Sequence, residues 1–179
     1  MQISQIFHPL KQHKLILFLG VAASVLLTST SAHAANKVIL KCGEVEKKVT
    51  ISELNQFVST GQASTGINAY LQACKQQPAL ARKALTAGIK TDSAFIDSLL
   101  SGWAGSVLVD QIGEVVHSDE KDLDNKTLRS ALTGSVKESG QVTLIGALRN
   151  YPQDTVELEG NKLTAVYNRL SQLRKLYFF

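Results

Sequence analysis

Histidine is scarce in this chain, and the shortage narrows its chemistry. Four histidines occur in 179 residues, and His8, His13 and His33 fall in an N-terminal leader-like segment, which leaves His117. Any Ser-His-Asp apparatus would have to use His117. There are two cysteines, Cys42 and Cys74, so a Cys/His zinc site would need carboxylates to complete it. The only methionine is Met1. No Gly-x-Ser-x-Gly occurs anywhere, which removes the nucleophile elbow of an esterase. A basic run is also missing. Without Lys11 and Lys14 the chain carries 17 basic against 15 acidic residues, a formal +2, which gives little support to a nucleic-acid or electrostatic membrane partner.

The leader is written plainly. Lys11 and Lys14 precede an apolar core, "LILFLGVAASVLL" (15–27), and a polar stretch ends in Ala32-His33-Ala34. This order reads as a secretory signal cleaved between Ala34 and Ala35. Thirteen apolar residues are short for a membrane span, which takes about 20, so no stable span is expected after cleavage. Residues 1–34 are thus read as signal peptide and 35–179 as a single domain, exported to a periplasm, a thylakoid lumen or the exterior. An oxidising compartment and an even cysteine count make Cys42 and Cys74 a disulfide candidate; two buried thiols packed as small hydrophobes is the alternative.

The fold class expected is mainly α (α+β): six to seven helices with a small antiparallel β element, an N-terminal hairpin plus a strand near 155–159. "KVILKCGEVEKKVTI" (37–51) reads as the hairpin and "TVELE" (155–159) as the further strand. Ser52 is the expected N-cap of a helix ending at Gly61, Ser64 or Thr65 caps the next, and Pro78 opens a third with Leu80, Ala84 and Leu85 inward. Thr91 and Asp92 start the longest periodic run, from Phe95 and Ile96 through Leu99, Leu100, Trp103, Val107, Leu108 and Ile112 to Val116. It reads as one central helix, or two meeting near Gly102, with Trp103 on the apolar face. Thr143 caps a short helix that stops at Pro152. A last stripe, Leu163, Val166, Tyr167, Leu170 and Leu173, marks a C-terminal helix.

Several stretches imitate functional motifs. "SGWAGS" (101–106) has glycines and serines in the wrong order for an elbow, with Trp103 and Ala104 between the glycines. "HSD" (117–119) sets three triad residue types side by side, yet adjacent residues point apart; His117 is expected at a helix C-terminus, where an imidazolium suits the dipole. "DEKDLD" (119–124) lacks the glycine of a calcium loop and contains Lys121, so it reads as a solvated connection. The terminal Tyr177, Phe178 and Phe179 either fold back on the core or bind a partner.

The order of elements resembles the small N-terminal domain of unknown function that precedes an α/β-hydrolase domain in exported cyanobacterial proteins. "TISELNQFVSTG" (50–61), "AGSVLVDQIGEVV" (104–116), "TLRSALTGS" (127–135) and "GQVTLIGALRNYPQDTVELE" (140–159) carry the resemblance, which covers about residues 37–160. It implies the accessory domain's fold and none of the hydrolase's catalytic residues, since that catalytic domain follows this region in the family and the sequence here ends at Phe179. The expectation is a non-catalytic interaction or regulatory module with a protein partner, a hydrolase among the candidates, and no cofactor or metal. The alternatives are a carrier of lipid or another apolar ligand, which needs an internal cavity of roughly 300–1,000 Å³, and a hydrolase of unrecognised type.

Overall fold

Lys37–Cys42 (β1) and Val45–Thr50 (β2) pair as an antiparallel hairpin in the computed structural model, which describes residues 35–118 and 124–177. The signal segment through Ala34, residues 119–123, Phe178 and Phe179 lie outside the described residues. Ala35, the other half of the expected cleavage pair, is buried in the core.

The chain passes straight from β2 into helix α1 (Ile51–Thr60), with Thr50 as N-cap rather than Ser52. The correction has a local cause. Thr50-x-x-Glu53 forms a capping box, in which the Glu53 backbone N–H donates to Thr50 Oγ1 at 3.1 Å and the Thr50 N–H donates to Glu53 Oε2 at 2.8 Å. Gly61 ends α1 in the left-handed conformation, φ +80°, as a C-terminal glycine should. Helix α2 (Thr65–Ala73) is capped by Ser64, and Pro78 opens α3 (Pro78–Thr86). Leu85 of α3 is buried as expected, whereas Leu80 is about half exposed.

After a short strand, β3 (Gly88–Lys90), the long periodic run is two helices, α4 (Ser93–Ser101) and α5 (Trp103–Gly113), broken at Gly102. Gly105 is what lets them meet: a Cβ there would run into the Leu99 carbonyl and the Leu100 backbone. Strand β4 (Val116–His117), helix α6 (Asp124–Ser139), strand β5 (Gln141–Thr143) and helix α7 (Leu144–Arg149) follow. Thr143 caps α7, its Oγ1 accepting the Gly146 N–H at 3.0 Å. Strand β6 (Thr155–Glu159) and helix α8 (Gly160–Tyr177) complete the described chain.

The hairpin and β6 share one sheet, as the sequence suggested, and β4 joins them in the order β2-β1-β6-β4. The β1–β6 pair is parallel, so the sheet is mixed where an antiparallel element was expected, and the other two pairs are antiparallel. β3 and β5 form a separate two-stranded ribbon. The fold is α+β with eight helices among the described residues. Alternation along the strands divides the sheet. Val38, Leu40, Val116, Val156 and Leu158 are buried in the core with Leu54, Phe57, Ile67, Tyr70 and Leu71 from α1 and α2. Each such aliphatic or aromatic side chain removed from water contributes roughly 1.5–3 kcal/mol. The opposite face carries Lys41, His117, Glu157 and Glu159.

Candidate functional site

Glu157 and Glu159 are two residues apart on β6 and therefore share a face. The parallel register sets Lys41 of β1 beside Glu159, and the antiparallel register sets His117 of β4 opposite Glu157. Glu157 is buried, 6% exposed. Its two oxygens are divided between partners: Lys41 Nζ lies 2.6 Å from Oε1 and His117 Nδ1 lies 3.3 Å from Oε2. The other ring nitrogen, His117 Nε2, lies 3.8 Å from Glu159 Oε1. A buried carboxylate held by a lysine ammonium is satisfied as an ion pair.

This places His117 in a strand, half-buried between carboxylates, and corrects its expected position at a helix C-terminus. Helix α5 stops at Gly113, three residues earlier than the apolar run "GEVV" suggests, and Val116 and His117 extend to pair with β6. A histidine oriented by a carboxylate is half of an acyl-transfer triad. The other half needs a hydroxyl at the second nitrogen, and here that nitrogen faces Glu159. Among the described residues no group of three or more His, Cys, Asp and Glu is disposed to hold a metal ion.

Under the sheet's inward face, β1 ends at Cys42 and α2 is closed by Cys74 as C-cap. Both thiols are half-buried and packed against the core. Burial, and then the Cys42 thiol, push the Cys74 thiol up to about 12. Tyr70 lies with them. Its hydroxyl donates to the Lys41 carbonyl at 3.0 Å, and its phenol is raised well above the ordinary range, by burial first and the two cysteines next. Glu159 also acts on it.

The third feature is apolar surface. Trp103 is 76% exposed, and Val107, one turn along α5, and Phe95 of α4 are each more than two-fifths exposed. Trp103 is therefore not on the buried face. The break at Gly102 restarts the helix, so a phase carried through from α4 assigns Trp103 and Val107 to the wrong side. Behind Phe95 and Leu99 lies an apolar cavity of about 80 Å³, closed by Ile96, Leu108, Ile112 and Leu163. That is well below the roughly 300 Å³ at which small-molecule pockets begin, so the carrier alternative gains nothing from it.

The disulfide candidates stand at the end of β1 and the end of α2, and the described residues show them as free thiols. Tyr177 ends α8, while Phe178 and Phe179 lie outside the described residues. Sequence reasoning missed the Lys41–Glu157–His117–Glu159 cluster. The alternation of "TVELE" places Glu157 and Glu159 on one face, but nothing local in the sequence names β1 and β4 as the flanking strands.

Comparison with known families matches residues 34–159 to one described as an alpha/beta hydrolase of unknown function (DUF1400). No curated protein and no solved structure matches the chain.

Proposed function

Because the chain belongs to the family described as an alpha/beta hydrolase of unknown function, we propose that it is an exported, non-catalytic domain that docks on a protein partner, an α/β-hydrolase domain being the partner its kinship indicates. The observation that carries this reading is the setting of His117. Both of its ring nitrogens face carboxylates, Glu157 and Glu159, whereas a general base for acyl transfer needs a nucleophile's hydroxyl on one of them. The Gly-x-Ser-x-Gly elbow is missing from the sequence. A docking role is supported by Trp103 and Val107, a large aromatic and an aliphatic exposed one turn apart on α5; tryptophan is among the residues most often found to anchor interfaces.

Two measurements test the reading together. The first is hydrolysis of p-nitrophenyl butyrate by the purified chain and by His117→Ala. Equal, background-level rates are expected, and turnover that disappears in His117→Ala overturns the non-catalytic assignment. The second is titration with the catalytic domain of a family member that carries both domains. Binding is expected, and Trp103→Ala should weaken it about tenfold or more. Failure of the wild-type chain to bind that domain overturns the proposed partner.

A further inference from the structure

We propose that Cys42 and Cys74 are a modification site, a pair that closes into an intramolecular disulfide stapling the end of β1 to the end of α2. Cys42 is the last residue of β1 and Cys74 the C-cap of α2, and both are half-buried against the same core. The tie between these two ends is the Tyr70 hydroxyl of α2, four residues before Cys74, which donates to the carbonyl of Lys41, the residue before Cys42, at 3.0 Å, so the two backbones are already held together where the bridge would form. Among the described residues, six of the 28 buried hydrophobic residues, Val49, Leu54, Phe57, Ile67, Tyr70 and Leu71, lie between the two cysteines in sequence. The closed loop is about 30 residues, long enough for a bridge to restrict the unfolded chain substantially.

The oxidant is a disulfide, either of an exported thiol oxidoreductase or of a small thiol such as glutathione. One cysteine loses its proton, and its thiolate attacks a sulfur of the oxidant, forming a mixed disulfide and expelling one thiolate. The second cysteine, deprotonated in turn, attacks the sulfur of the first and expels the other thiolate. The two cysteines give up two electrons and two protons. The oxidant's S–S bond is reduced, and its two halves leave as thiols carrying those protons. The high thiol pKa of Cys74, about 12, means little thiolate at neutral pH. This suits a structural bridge, formed once and slow to exchange, better than a turning-over redox couple.

The test equilibrates the full chain with oxidised glutathione, or with excess dithiothreitol, and then alkylates it under denaturing conditions. The expected oxidised product is monomeric, two hydrogen masses lighter, without alkylatable thiols, and yields a Cys42–Cys74 cross-linked peptide. Its thermal midpoint should exceed that of the reduced chain by about 10 °C, and a Cys42→Ser/Cys74→Ser chain should show no oxidant-dependent shift. Two thiols still alkylatable after equilibration, glutathione retained on either cysteine, or bridges between chains would each overturn the proposal. A bridged chain that melts with the reduced one would overturn the stapling role.

Discussion

Glu157 shows how much one buried charge depends on its neighbours. Its side chain is 7% exposed and holds Lys41 at 2.6 Å, whereas Lys37 and Asp154 form a pair of ordinary length, 3.2 Å, with both side chains more than half exposed. Exposed pairs contribute at most about 1 kcal/mol, because water and salt screen them. Removing the cation from a buried pair leaves a carboxylate that has lost both its solvent and its main partner. Lys41→Met should therefore destabilise the chain by about 2–3 kcal/mol in urea unfolding, and Lys37→Ala by less than about 1 kcal/mol. Lys41→Met combined with Glu157→Leu should recover part of the loss, since no orphaned charge remains. Equal costs for the two lysine variants would mean that Glu157 is solvated after all. Half of this site could be read from "TVELE", whose alternation pairs the two glutamates. The burial of one of them could not, because it is imposed by strands over a hundred residues away and by a two-residue strand too short to show a period.

Between helices, Ser64 does two jobs. Its hydroxyl oxygen accepts the Ile67 N–H at 3.4 Å, capping α2, and the hydroxyl also acts on Glu53 of α1. The Ser64 hydroxyl first, then the Thr50 backbone N–H, holds the Glu53 carboxyl below its ordinary value of 4.5. A depressed carboxyl contributes stability above its unfolded value, and that contribution is lost as pH falls through the folded value. Glu53→Gln should thus lower the thermal midpoint at pH 7, with a deficit that shrinks toward pH 3. Ser64→Ala should start the acid loss at higher pH and also remove a cap worth about 1 kcal/mol. A Glu53→Gln deficit that stays constant from pH 7 to pH 3 would exclude the link.

The α4–α5 junction offers a sharper contrast. A Cβ at Gly105 would strike the Leu99 and Leu100 backbone, while the nearest atom to one at Gly102 is 3.6 Å away. Gly105→Ala should cost about 1–3 kcal/mol as an overpacked contact, and Gly102→Ala should stay within about 1 kcal/mol. Similar midpoints for the two variants would show that the junction yields. These caps and breaks were largely legible because they act within three or four residues. Thr50 displaced the expected Ser52 only because β2 runs directly into α1. β3, β4 and β5 went unseen because two or three residues carry no pattern.

The molecule as a whole has one indole, Trp103, and its position separates the surface from the core optically. Read as a continuous stripe, 95–116 places Trp103 inward; the break at Gly102 turns it outward, to 76% exposure. Continuity of a helix across a glycine is settled by packing, which is why the sequence left both one helix and two open and its choice of face failed. The consequence can be measured on the intact chain. With indole excitation, emission should be red-shifted and readily quenched by acrylamide in the native state. It should change little through a urea transition in which circular dichroism collapses, because the indole is in water on both sides of it. A partner seated over Trp103 and Val107 would then give a blue shift and protection from quenching, neither of which the free chain can produce. Blue-shifted, protected emission from the isolated chain at nanomolar concentration would mean that Trp103 is already covered within the monomer. The docking surface proposed for α5 would then not exist.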